Sequence, residues 1–313
     1  MVQILGKKVR ASFFFLVFAM VSMIGNTLVV SETQAEKVTI FFTGLVRGNY
    51  GPCGCSTVPS GGFAKRSAYA SNYIQKSKSQ VLHVDLGGIL LPRGPNAGYV
   101  NPEILNAIRD LPVKVVNLSP SDLFLWDQIA SSDLNGHFIS TNLSPLDSDR
   151  RIPERFRIVK VELESINIDI GFLGISDPEK VKPNSGFIGE DPVLAVSRII
   201  DTVLKEADFL IVLADIPQQS TVTTFEKLAW NHSEIIAFLT TEEGYRLHEP
   251  RIINNAVLLS SVERGRYLGQ LELLIDKMGR VQEFIPEFIQ MSDELEEDPH
   301  FLKIQKTLAP YLP

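Results

Sequence analysis

The sequence predicts an α/β fold in which two β-sheets stack as a sandwich flanked by helices. Strand-like and helix-like segments alternate along most of the 313 residues, the order expected of a layered α/β domain. Residues 155–176 (RFRIVKVELESINIDIGFLGIS) alternate apolar and polar side chains across a break at Glu164-Ser165, as an antiparallel hairpin does. A hydrophobic content of 44% gives a chain of this length enough apolar surface for one large core.

Residues 38–43 (VTIFFT) are a β-branched and aromatic run of strand length, and Gly44, Gly48, Gly51 and Gly54 then break it. A buried strand therefore empties into a glycine loop, the position at which open α/β folds bind ligands. A helix is expected at 62–76, and QVLHVD at 80–85 is a strand closed by Gly87-Gly88. Asn101-Pro102 opens a helix through Leu111, since a proline costs nothing in a first turn. Residues 113–118 form a strand, 122–130 a short helix and 138–142 a strand, followed by turn-rich residues 143–153.

Beyond the hairpin, Asp191-Pro192 opens a helix to about residue 205, and FLIVLA at 209–214 is a buried strand. A helix at 222–230 and a strand at 235–239 complete that step. Strands at 256–260 and 265–275 lead through the turn Asp276-Lys277-Met278-Gly279 into 281–285. Residues 286–313 form an acidic tail that becomes helical from Asp298-Pro299 through Leu308. Neither an internal repeat nor a low-complexity tract occurs.

Lys7, Lys8 and Arg10 precede an apolar run over 11–30 and the polar SETQAEK, which reads residues 1–35 as an export signal or signal anchor. Ala35 supplies a small residue at the cleavage position, and the run is also long enough to tether the chain to a membrane through 11–30. A periplasmic or extracellular location follows. With Lys7, Lys8, Arg10 and Glu32 set aside, 27 basic and 36 acidic residues remain, a formal charge of −9. Nucleic acid is excluded as a partner, because a protein that displaces phosphate counterions needs a basic stripe. The only cysteines are Cys53 and Cys55, so no disulfide framework holds the fold.

The phrases PCGC, GGFAKRSAY, LHVDLGG, IDIGFLGIS and ADFLIVLAD together resemble the 5'-nucleotidase branch of the calcineurin-like metallophosphatases, in particular a subgroup with PCGC in its first loop. The resemblance spans residues 36–285 and implies a metallophosphatase-like α/β/β/α fold of four layers. It has no counterpart of that family's C-terminal nucleotide-specificity domain. It also implies a pair of metal ions held by Asp, His and Asn, with a His near the leaving group. Carried over position by position, those residues are eroded. The first motif falls on Leu45 and Arg47, and the metal-bridging carboxylate on Gly88. The Asn ligand and catalytic His fall on Pro120 and Ser121, the His after the long buried strand on Asp215, and the last two on Thr240 and Glu242. Hydrolysis by a cation pair needs more oxygen and nitrogen donors than this. The resemblance therefore implies a domain that has lost its ancestral chemistry, with no cofactor expected.

Two other readings stay open. A rebuilt site around Asp215, Glu242 and Asp122 could hold Mn, Zn or Mg and hydrolyse phosphoesters. Cys53 and Cys55, two residues apart on a glycine loop, could form a reducible disulfide for thiol redox work or donate two soft metal ligands; a static staple is the alternative. Arg47, Lys65 and Arg66 are candidates for an anion site, since GG-x-A-K-R starts a helix. Lys65 and Arg66 read equally as surface charge. Asp85 is expected to bond loop amides, and His83 to be a satisfied sheet residue. A protein partner remains open, and the ligand is unknown.

Overall fold

The computed structural model describes residues 35–53, 59–77, 79–216, 218–242 and 247–312. The expected export or anchor segment therefore lies outside the described residues, as does Cys55. No helix among the described residues is long and apolar enough to cross a membrane.

The first sheet runs β14 (Val281–Gln290), β13 (Tyr267–Ile275), β1 (Glu36–Thr43), β2 (Gln80–Asp85), β3 (Val113–Asn117) and β4 (Phe138–Ile139). In it β1 to β4 are parallel, while β13 and β14 are antiparallel additions. The second runs β11 (Arg251–Ile253), β12 (Ala256–Val262), β10 (Ile235–Glu242), β9 (Phe209–Asp215), β7 (Asn167–Ser176) and β6 (Phe156–Glu162). The expected hairpin is the β6–β7 pair, with Glu162 opposite Asn167. A small antiparallel pair, β5 (Leu143–Pro145) with β8 (Phe187–Gly189), sits apart.

Alternation along β1 shows how the layers form. Val38, Ile40 and Phe42 point into the core between the sheets, where they join Ile170, Phe172, Ile211 and Leu213. Phe41 and Thr39 point the other way. Phe41 packs beneath α1 (Phe63–Lys76) against Ala70, and Thr39 Oγ1 lies 2.9 Å from Tyr73 Oη. Helices α2 (Ala97–Asp110), α3 (Trp126–Ala130) and α6 (Pro299–Leu308) cover the first sheet with α1. Helices α4 (Pro192–Val203) and α5 (Gln218–Asn231) cover the second. The result is the four-layer α/β/β/α sandwich expected from the sequence.

Three local expectations are corrected. Helix α2 begins at Ala97, and Pro102 lies inside it, because the preceding Gly94-Pro95-Asn96 turn already offers carbonyls to Ala97, Tyr99 and Val100. Asn101 is thereby freed to clamp Leu91, accepting from its N–H at 2.8 Å and donating to its carbonyl at 3.0 Å. Residues 122–130 are a single 3-10 turn at Leu123–Leu125 followed by the short α3. Strand β14 continues to Gln290, pairing with β13 as far as Tyr267.

The tail docks on the domain. Asp298 caps α6, accepting from His300 N–H at 2.9 Å and from Ser67 Oγ at 2.6 Å. Phe301 then stacks on Phe63 of α1 at 6.3 Å between ring centroids.

Candidate functional site

The carboxyl ends of β1, β2, β3 and β9 open toward one cleft of about 1020 Å³, whose lining includes Leu45, Arg47, Ser119, Pro120, Ser121 and Asp215. Six of the positions singled out from the sequence thus sit on or beside one surface, since Gly88 abuts Leu45 and Ser121. Thr240 lies behind this surface, its hydroxyl donating to the Ile216 carbonyl. The backbone of Glu242 ends β10, and its side chain lies outside the described residues.

The first loop is held in an uncommon backbone state. Leu45 and Arg47 have φ of 48° and 51°, a left-handed conformation that costs an L-residue on the order of 1 kcal/mol or more. What fixes it is hydrogen bonding across the cleft floor: Leu45 N–H donates to the Gly87 carbonyl and Arg47 N–H to the Gly88 carbonyl, both at 2.8 Å. Gly88 itself has φ +67°, and a Cβ placed on it would fall 2.7 Å from Leu45 Cδ2 and 3.5 Å from Ser121 Oγ. The buried Leu45 side chain crowds the space in which a side chain at 88 would begin.

Three buried carboxylates lie around this floor, and each is engaged. Asp122 accepts Gly88 N–H at 2.8 Å through one oxygen and Leu90 N–H at 3.1 Å through the other. Asp85 accepts from Gly87 N–H at 2.9 Å and from Thr43 Oγ1 at 2.7 Å, bonding loop amides as expected. Asp215 accepts from Ser119 Oγ and, at 3.0 Å, from Thr241 Oγ1. Burial pushes the Asp122 carboxyl up to about 7, against the lowering effect of its two amide donors. It pushes Asp85 up to about 6, against Thr43 and the Arg66 charge.

Lys65 and Arg66 correct the surface-charge reading, because both are buried, at 3% and 4% exposure. Two bases in the first turn of a helix oppose its dipole, so something else must hold them. Lys65 Nζ pairs with Asp293 at 2.5 Å. The Arg66 guanidinium lies over the Phe63 ring at 4.5 Å and donates from Nη1 to Thr43 Oγ1 at 3.1 Å, while its Nε and Nη2 are buried without a partner. Arg47 joins neither base; it pairs with Glu263 at 2.9 Å across the cleft wall. The three candidates therefore do not converge on one anion site.

Glu263, Arg264 and Arg266 were missed in the sequence. They form a strap after β12, in which Arg264 N–H donates to the Leu45 carbonyl at 2.7 Å. The available signal was Gly265, with φ +61°, placed between two arginines just past a buried strand. Cys53 sits beside this strap, accepting from Arg264 Nη1 at 3.3 Å and Arg266 Nη2 at 3.4 Å. His83 is buried in β2, where burial first, and then Arg66 and Lys114, push its imidazole down to about 4. Among the described residues, no group of three or more His, Cys, Asp or Glu side chains is arranged to hold a metal ion.

No family sequence model matches the chain, and no curated protein matches it in sequence. Solved structures do match. The calcineurin-like phosphoesterase YfkN of Bacillus subtilis superposes with a TM-score of 0.71 at 15% identity, covering 88% of this chain and 97% of that one. A 5'-nucleotidase precursor from Thermus thermophilus gives 0.68 at 16% identity, covering 88% of this chain and 58% of that one. The sulfate thiohydrolase SoxB of Thermus thermophilus gives 0.70 at 14% identity, covering 87% and 60%. The chain thus has the metallophosphatase/5'-nucleotidase-like fold and spans about six-tenths of the length of the last two proteins.

Proposed function

We propose that this chain is an exported, catalytically silent phosphoesterase-like domain that serves as a binding or accessory module, its ligand entering the cleft above Leu45. The observation that carries the reading is the contact between positions 45 and 88. Metal-assisted phosphoester cleavage requires two closely spaced cations to generate hydroxide and neutralise the transferring group. A side chain carrying such a carboxylate at position 88 would set its Cβ 2.7 Å from Leu45 Cδ2 and 3.3 Å from Leu45 Cα, on a backbone held at φ +67°.

Among the described residues, the remaining donors do not fit such a centre. Asp122 spends both oxygens on backbone amides, Asp85 on an amide and a hydroxyl, and Asp215 on two hydroxyls. Arg47 brings positive charge to the cleft wall, already balanced by Glu263. The cleft itself persists, and Arg93 at its edge lies 5.7 Å from the Phe124 ring, leaving cationic and aromatic surface for a ligand.

The test is hydrolysis of p-nitrophenyl phosphate and adenosine monophosphate with added Mn²⁺, Zn²⁺ or Mg²⁺. Release of phosphate at the protein-free rate is expected. Turnover that disappears in Asp215→Ala would instead establish the rebuilt hydrolase site.

A further inference from the structure

We infer that the outer edge of β6 pairs with the same strand of a second copy of this chain, joining their second sheets across a twofold axis at Val161. Parity along the β6–β7 hairpin fixes which groups face outward. Leu163 N–H donates to the Ile166 carbonyl at 2.9 Å, so with Glu162 opposite Asn167 the odd residues of β6 bond β7 and the even ones turn away. Asp169, opposite Lys160, agrees with this, because its carbonyl accepts Asp208 N–H at 2.8 Å on the far side of β7. Ile158, Lys160 and Glu162 therefore present their N–H and C=O groups to the outer side, where no strand lies beside β6 among the described residues. Three successive ladder positions stand open.

The edge is also reachable. Residues 158–162 line a groove of about 580 Å³ with Gln80, Val81 and Leu82, the part of β2 that precedes its pairing with β3 at His83. The first sheet steps back there and leaves room beside β6. The other outer strands are closed to such pairing. β11 has three residues and β4 two. On β14, Met291 N–H bonds the Arg266 carbonyl, so the same parity turns Pro286 outward, where it has no N–H to give. β6 is longer than β4 and β11 and contains no proline.

The side chains of β6 specify the occupant. Antiparallel self-pairing sets outward residues opposite one another, and each register gives a different match. Centred on Lys160 it opposes two lysines, and centred on Glu162 two glutamates. Centred on Val159 it sets Lys160 against Ile158 and Glu162 against Phe156. Centred on Val161, each Lys160 faces the second copy's Glu162. On the other face, Val161 then meets Val161 and Val159 meets Leu163, extending the apolar row these residues contribute between the sheets. Lys160 has Asp169 at 3.8 Å within its own chain, yet its side chain is 81% exposed and within reach of the edge. Charges that oppose pairing in other registers thus select this one.

The experiment follows the full chain by sedimentation from about 1 μM to about 1 mM, the range in which small interfaces associate. A dimer is expected, with hydrogen exchange at the Ile158, Lys160 and Glu162 amides slowing as it forms. Lys160→Glu or Glu162→Lys sets like charges opposite one another at both ends of the pairing and should raise the dissociation constant at least about tenfold. An equal mixture of these two variants should associate again, because each offers the other opposite charges. The doubly reversed chain, Lys160→Glu with Glu162→Lys, should dimerise as the wild type does, which controls for folding. A wild type that stays monomeric at the highest concentration overturns the proposal. If that monomer instead binds a synthetic peptide of residues 156–164 at β6, the edge belongs to another extended partner and the second copy is overturned. A dimer indifferent to both reversals, as one held through the apolar run at 11–30 would be, or a mixture that stays apart, also overturns it. The groove shares no lining residue with the cleft, so the result is independent of the hydrolysis test.

Discussion

Asp122 holds Gly88 in place, its Oδ2 accepting the Gly88 amide at 2.8 Å while Oδ1 takes the Leu90 amide at 3.1 Å. One side chain thereby satisfies two buried donors of a loop whose glycines have positive φ. Asp122→Asn replaces one acceptor with a donor facing an amide, and should cost about 2–4 kcal/mol in urea unfolding at neutral pH. The cost should grow toward acid. Because burial raises the Asp122 carboxyl to about 7, the folded chain binds its proton more readily than the unfolded chain. The wild-type stabilisation from this group is therefore complete below pH 4 and declines as pH rises toward 7. The aspartate-minus-asparagine difference should follow that slope, and a difference that shrank on acidification would contradict it.

His83 titrates in the opposite sense. Its imidazole, pushed down to about 4, stays neutral in the fold while the unfolded chain protonates near 6.5. Its stabilising contribution is present above pH 6.5 and is lost as pH falls toward 4. His83→Gln should gain on wild type by on the order of 3 kcal/mol between pH 7 and pH 4. A pH-independent difference in urea midpoints would argue against this.

The Leu45–Gly88 contact makes a double-mutant prediction. Gly88→Ala puts a Cβ against Leu45 Cδ2 at φ +67°, which should cost roughly 2–3 kcal/mol. In a Leu45→Ala background the added cost should fall by at least about 1 kcal/mol, an interaction energy that denaturant unfolding of the four proteins measures.

The docked tail should carry real stability. Phe301 is 3% exposed and packs on Phe63, so Phe301→Ala should lower stability by about 3–5 kcal/mol. A loss under about 1 kcal/mol, measured by thermal or urea unfolding, would show that α6 is not part of the cooperative core.

Strand content was legible in the sequence wherever one period ruled. Val38, Ile40 and Phe42 announce a core face, and FLIVLA announces a strand buried on both sides. Asp85 before Gly87-Gly88 was likewise readable as a brace for loop amides. Lys65 and Arg66 misled because bases at a helix start ordinarily seek water. Here their partners, Asp293 for one and Thr43 with Asp85 for the other, arrive from distant strands and tail. The strap at Glu263 to Arg266 was hidden for a similar reason. Its role depends on Leu45, Arg47 and Cys53, all over 200 residues earlier, and no local pattern encodes such a meeting.

The most direct measurement is metal content. The purified chain, equilibrated with Mn²⁺ and Zn²⁺ and then freed of unbound ions, is assayed by elemental analysis alongside Asp215→Ala. Expected is no ion retained at chain stoichiometry in either protein. Two ions per wild-type chain, lost together in Asp215→Ala, would contradict the proposal that this cleft cannot hold a dinuclear centre.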